Sequence, residues 1–161
     1  MPQVIDAQKV QIKHKGYFDF NNVTATIRKG MKKRLYGFLE KKHKYKPDER
    51  EIEIECDKKV NEYVKFEIAI VVLALDMKEV EIIKDNKKMI VNQGRVVIEM
   101  SGQLTLDWVK RFQGNEFLAA LQDLYHKYVL GKRIKDEWLD TLEDDIFSLG
   151  REVRHALEME V

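Results

Sequence analysis

The stretch that decides the fold is Tyr63–Leu75, YVKFEIAIVVLAL. In its first half Tyr63, Lys65 and Glu67 alternate with Val64, Phe66 and Ile68, the period of two that turns successive side chains to opposite faces of a strand. Its second half is apolar on both faces. Such a strand is expected to begin half-exposed and to end covered on both sides, as a central strand beneath a helix does. Burying large aliphatic and aromatic side chains contributes about 1.5–3 kcal/mol each, so this element anchors the core.

Working outward, Ile52 and Ile54 alternate with Glu51, Glu53 and Glu55 and predict a strand with one wet face, running to Cys56. Lys58, Lys59 and Asn61 form the turn between them. Downstream, Glu79–Ile83 predicts a further strand, Lys84-Asp85-Asn86-Lys87 a turn, and Met89–Val91 renewed extended structure. After Asn92-Gln93-Gly94 comes a long alternating strand, Arg95–Leu106, with a bulge expected at Ser101-Gly102. Antiparallel hairpins in a meander join these pieces with the fewest crossings.

Upstream, Val10 and Ile12 mark a short first strand closed by Gly16. Asp19 or Asn21 then caps a helix, and Phe20, Val23, Ile27, Met31, Leu35 and Phe38 recur at steps of three and four, so the helix is predicted to run to a stop at Gly37. Lys41–Lys46 reads as an arm, broken from the next strand by Pro47-Asp48. The last third is helical. Phe117, Leu118, Leu121, Leu124, Tyr125, Tyr128 and Val129 lie on one amphipathic helix, ended by Gly131. Asp136 and Glu137 suit the positive end of a final helix. Along that helix Leu139, Leu142, Ile146, Leu149, Val153 and Ala156 step by three and four, a heptad-like seam. The expected fold is α+β, a single domain over residues 1–161 with a helical pair at about 115–160: an antiparallel meander sheet covered on one face by helices, in the order β-α-β-β-β-β-α-α.

Composition bounds the function. The chain has 161 residues, 44% hydrophobic and 35% charged, enough apolar side chain for a core. A single cysteine, Cys56, excludes an internal disulfide framework. The most apolar run, Ile68–Leu75, has eight residues, against about 20 for a membrane-spanning helix. Residues 1–15 hold no apolar stretch of signal-peptide length. A cytoplasmic setting is expected, or one within a virion or other particle whose contacts would hold both termini; no membrane partner is expected.

Catalytic signatures are sparse. Neither G-x-x-x-x-G-K-[ST] nor G-x-G-x-x-G occurs, nor a G-x-S-x-G elbow. His14, His43, His126 and His155 stand far apart in sequence without metal-ligand spacing. His126, between Tyr125 and Lys127, is the best single candidate for a functional histidine, against the plainer reading of a surface or packing residue. Cys56 is in register with Ile52 and Ile54 and reads as a small buried residue rather than a nucleophile. The pair Asp144-Asp145 is ordinary helix solvation. Neither a catalytic residue, nor a metal, nor a cofactor is indicated, and an enzyme is not expected.

The charge map says more. Residues 1–50 carry 13 Lys and Arg against 5 Asp and Glu, while residues 136–161 carry 2 against 9, although the whole chain sums to +1. The basic pole gathers in Arg28, Lys29, Lys32, Lys33 and Arg34, then Lys41, Lys42, Lys44 and Lys46, with Tyr36, His43 and Tyr45 between them. This pole has two readings besides plain solvation. It meets the acidic final helix, within one chain or on the next copy, and so sets association. Or it faces RNA or single-stranded nucleic acid, with cations on phosphates and rings on bases. Near-zero net charge favours the first. The expected function is therefore a non-enzymatic structural or assembly protein that binds itself or other subunits, through the basic residues and through Leu139, Leu142, Ile146, Leu149 and Val153. Nucleic-acid binding is the alternative, and a carrier of an apolar small ligand the third.

The order strand, helix, long meander and C-terminal helix resembles helix-grip (START-like) proteins, which implies a ligand held between sheet and helix. This chain departs from their pattern in its single first helix, low strand count and C-terminal helix split at Gly131. The stretches KGYFDF (Lys15–Phe20) and DLYHKYVL (Asp123–Leu130) look like elements of small uncharacterised α+β proteins of archaea, a resemblance that implies no activity.

Overall fold

A computed structural model describes residues 3–110, 114, 116–125, 127 and 134–158. Its elements are β1 (Gln3–Asp6), β2 (Val10–Phe18), α1 (Phe20–Lys33), β3 (Gly37–Lys46), β4 (Glu49–Lys59), β5 (Val64–Lys84), β6 (Lys87–Leu106), α2 (Glu116–Tyr125), a π-helical turn (Ile134–Leu139) and α3 (Asp140–Leu157). The fold is α+β with an antiparallel sheet, ordered β1-β6-β5-β4-β3, in which β2 also pairs with β6. Asp6 pairs with Gln103 and Val10 with Met100, so β1 and β2 follow one another along the same edge of β6. The short β1 is an addition to the expected order.

The deciding stretch behaves as a central strand, with β4 on one side (Ile54 opposite Ile70) and β6 on the other (Ile70 opposite Met100). Val64, Phe66, Ile68, Ile70, Val72 and Ala74 are all buried. Their β-branched and aromatic character suits a pleated surface with a covered face. The other face differs from expectation. Ala69 is exposed, and Val71, Leu73 and Leu75 are half-buried, so the second half of the strand is not covered on both sides. One apolar cluster of buried residues runs from Ala7 to Leu157 on the inner side. There Ile52, Ile54, Ile98 and Leu104 meet Val23, Ile27 and Met31 of α1 and Leu142, Ile146, Leu149 and Val153 of α3.

β5 and β6 are each one continuous strand where the sequence suggested two. The turn at Asp85-Asn86 is as expected: both have positive φ (53° and 63°), the two-residue reversal that matches strand twist. Asn92-Gln93-Gly94 is not a turn. β6 passes straight through it, opposite a register shift between Leu75 and Lys78. A Cβ on Gly94 would stand 2.7 Å from the Leu75 carbonyl oxygen, so only glycine lets the strands close there. The expected bulge at Ser101-Gly102 is absent, since Ala69–Ser101 and Ile68–Gly102 stay in register. Gly102 has another purpose: a Cβ there would lie 2.6 Å from Cδ1 of Ile146, so the missing side chain makes room for α3.

α1 starts where expected, with the Asp19 carboxylate accepting from the Asn22 N–H. It ends four residues early, at Lys33. Leu35 adopts φ 66°, its N–H donates to Lys32 O, and the Tyr36 N–H donates to Met31 O at 3.0 Å. That paired closure is usually built on glycine; here leucine holds it, which no sequence rule for stops anticipates. Gly37 opens β3 instead of closing the helix. The supposed arm is likewise a strand: Lys44 pairs with Glu51, Tyr45 with Arg50 and Lys46 with Glu49.

Candidate functional site

The nine basic candidates separate into three settings. Arg28, Lys29, Lys32 and Lys33 line the exposed side of α1. Arg34 turns inward and is only 12% exposed. Its Nη2 donates to Glu152 Oε1 at 3.0 Å and to Ser148 Oγ at 2.8 Å, and its Nη1 to Gly30 O at 2.9 Å and Glu152 Oε2 at 3.3 Å. Lys33 Nζ lies 3.7 Å from the same carboxylate. A bidentate guanidinium favours the charged acid, and the hydrogen bond from Arg34 holds the Glu152 carboxyl below its ordinary range. In this fork the basic segment meets the acidic last helix inside one chain.

The β3 lysines face the glutamates of β4. Lys41 Nζ lies 3.0 Å from Glu55, and Lys42 lies 3.5 Å from Glu51 and 3.8 Å from Glu53. Opposite charges on facing strands stabilise their register by a few tenths of a kcal/mol or more, which explains how so polar a segment forms a strand. Lys29, Lys32, Lys44 and Lys46 make no ion pair among the described residues.

The five candidate partner-binding residues of the seam lie at the inner side of α3 and, for Leu139, at the end of the π-helical turn that leads into it. Leu142, Ile146, Leu149 and Val153 are fully buried, and Leu139 is half-buried against the same cluster. α3 packs on α1, β2 and β6. The spacing of three and four is satisfied within the chain, and a partner would reach these side chains only by opening the core.

The reverse holds on α2, a surface that sequence reasoning missed. Phe117, Leu121, Leu124 and Tyr125, at positions i, i+4, i+7 and i+8, all face solvent; Phe117 is 73% exposed. The polar Gln122 is the buried residue of this helix, 3% exposed, with its Nε2 3.5 Å from Tyr63 Oη. Tyr125 meets the edge of the Tyr63 ring, centroids 6.3 Å apart. The helix is amphipathic as read, but presents its apolar stripe outward. Periodicity identifies a face without saying which way it points, so no signal in the sequence marked this one. Tyr128, Val129, His126 and the stop at Gly131 lie outside the described residues, as do Met1, Pro2 and residues 159–161, on which the expectation of held termini fell.

The β5–β6 hairpin continues past the sheet. Beyond Ala74, β5 has no pairing with β4, and the tip exposes Ile83 and Ile90, 70% and 71%.

Reactive groups elsewhere are quiet. The Cys56 thiol is buried, and burial pushes its pKa up to about 12. Tyr36 is buried with its hydroxyl donating to Asp145 Oδ2 at 2.9 Å, and burial raises its pKa far above the ordinary phenol value. Among the described residues no group of three or more His, Cys, Asp or Glu side chains is placed to hold a metal ion, and no helix is long and apolar enough to cross a membrane. A hollow of about 680 Å³ lies on the outer face of the sheet, bordered by Asp6, Lys9, Asp57, Lys65, Glu67 and Gln103 among others. Its rim is charged, and Gln103 donates to Glu67 across it.

The fold and surface define an antiparallel α+β protein with one apolar core cluster and, on α2, an apolar stripe exposed to solvent. No protein-family model matches the chain, and no curated protein matches it.

Proposed function

We propose that this is a non-enzymatic assembly protein that associates with a second copy of itself through α2. The observation that carries the reading is the inverted helix, with Gln122 inside and Phe117, Leu121 and Leu124 outside. Apolar surface in water costs about 25 cal/mol per Å², and a continuous stripe of this kind marks a contact surface. A second copy suits it for two reasons. A two-fold contact needs only one self-complementary patch, and a chain of net charge +1 meets its like with little repulsion. Among the described residues, α2 and the hairpin tip are two places where large apolar side chains stand exposed together. Growth beyond a pair, into a multi-subunit particle such as a virion, would use the second of these, at Ile83 and Ile90. Equilibrium sedimentation tests the reading. Mass should rise with concentration and hold or rise at high salt, since salt does not screen apolar burial; a monomer at every concentration and salt rejects it.

RNA or single-stranded nucleic-acid binding keeps one observation in its favour: Lys29 and Lys32 on α1 and Lys44 and Lys46 on β3 make no ion pair among the described residues. Oligonucleotide affinity falling steeply with salt would support it, and no binding at low salt would remove it.

A further inference from the structure

A second feature, independent of α2, lies on the inner side of the sheet, where α1 and the β3–β4 hairpin part at their open end. They border an open cleft of about 200 Å³. Arg50 occupies one wall. Its guanidinium carbon sits 5.1 Å from the centre of the Phe20 ring and 4.5 Å from that of Tyr45. Nη2 donates to Tyr45 Oη at 3.2 Å, while Nε is buried without a hydrogen-bond partner among the described residues. No carboxylate pairs with Arg50 among them. Arg28 stands at the mouth, its guanidinium 5.5 Å from the centre of the Phe38 ring and Nη2 3.9 Å from Glu40. His43 Nδ1 lies 3.2 Å from the other oxygen of Glu40.

We infer that this cleft binds a small oxyanion, a phosphate or a carboxylate, with Arg50 and Arg28 as its cations. Arg50 and Arg28 line the cleft together with one glutamate, Glu40, which Arg28 and His43 already engage. Arg50 is left as a half-buried cation with no carboxylate partner among the described residues, and a charge so placed is costly until an oxyanion pairs with it. The rings on either side hold its fork in one plane, so less side-chain entropy is lost when it grips an oxyanion through two N–H groups. The compact volume admits a headgroup-sized anion rather than a long chain.

Titration with inorganic phosphate and, separately, sodium acetate, each against sodium chloride at matched ionic strength, tests this by ¹H–¹⁵N spectra of the full chain. A saturable shift of the Arg50 Nε–H and the Tyr45 amide with either oxyanion, absent with chloride, is expected. The arm that saturates tells phosphate from carboxylate recognition. Arg50→Met, read at the Tyr45 amide, should abolish the shift. Should that variant not fold, Arg28→Gln at the exposed mouth should weaken binding about tenfold, the loss of one charge-assisted hydrogen bond, whereas Lys32→Gln, outside the cleft, should leave it unchanged. Shifts that chloride reproduces, or that Lys32→Gln reduces as much as Arg28→Gln, overturn the assignment, as does no saturable shift with either anion.

Discussion

The C-terminal third holds two amphipathic helices with opposite fates. α3 presents Leu142, Ile146, Leu149 and Val153 to the core and loses them all from solvent; α2 presents Phe117, Leu121, Leu124 and Tyr125 to water and hides Gln122. Both carry apolar residues at steps of three and four. The difference teaches that helical periodicity states how much surface wants cover, while the cover itself is a tertiary property. α3 is completed by its own chain. α2 is not.

The sharpest way to break this comparison is to truncate one residue from each helix. Ile146 sits at full burial, with its Cδ1 in the space that Gly102 leaves open. Ile146→Ala should lower unfolding free energy by about 2–5 kcal/mol, read from the urea midpoint at constant slope. Leu121→Ala, on the open stripe, should cost the isolated monomer well under 1 kcal/mol. Equal losses would mean that α2 is buried in the free chain and the contrast is false.

The next effect concerns how α3 is tied to α1. Glu152→Gln keeps the shape but replaces a charged acceptor by a neutral one opposite Arg34, and should cost roughly 1 kcal/mol at pH 7. The sign of its pH dependence is fixed by the downward displacement of the Glu152 pKa from 4.5. A group whose pKa is lower folded than unfolded adds stability above the unfolded value, and that stability is lost as pH falls through the folded one. The gap between wild type and Glu152→Gln should therefore be full above about pH 4.5, narrow as pH falls below it, and close only below the lower folded-state value, where the carboxyl is protonated in both states. A gap that persists unchanged at pH 2 would show that the fork contributes through shape alone.

A smaller effect, of opposite sign, lies at the end of α1. Leu35 is 77% exposed and held at φ 66°, a conformation that disfavours a side chain by about 1–2 kcal/mol. Glycine removes that strain but gains about 0.4–1 kcal/mol of unfolded-state freedom, so Leu35→Gly should raise stability by roughly 0.5 kcal/mol in thermal unfolding. A loss would mean that the exposed leucine packs on something in solution.

These sites also mark where the sequence was legible. The central strand, the inner face of α1 and the Asp85-Asn86 turn could be read because each depends on neighbours in the chain: alternation, helical spacing, residues that tolerate positive φ. The end of α1 could not, because a leucine took the position that glycine usually holds. Gly94 and Gly102 were read as a turn and a bulge, whereas each is small because another segment approaches it. The Lys41–Lys46 segment reads as an arm because Pro47-Asp48 breaks it from the next strand, whereas in the fold that break is a turn that brings it opposite Glu51, Glu53 and Glu55. Of the candidate surface, the charge polarity was plain in the sequence. That the basic pole meets the acidic last helix within one chain is one of the two readings the sequence offers; that Arg34 and Glu152 make the contact is not legible there, since the two lie 118 positions apart.

The smallest effect on stability should accompany the largest on assembly. Phe117→Ser replaces the most exposed residue of the α2 stripe, and surface changes of this kind move folding free energy by no more than about 0.5 kcal/mol. If the stripe is where two copies meet, a central aromatic contributes far more to association than to folding, since truncating such anchors costs about 2 kcal/mol or more of binding. The variant should then unfold at the wild-type denaturant midpoint when dilute and sediment as a monomer where the wild type does not. Ile83→Ser at the hairpin tip, equally mild in folding, should leave the pair intact and remove only larger species. Association lost in Ile83→Ser but kept in Phe117→Ser would move the contact from α2 to the hairpin, and the inverted helix would need another explanation.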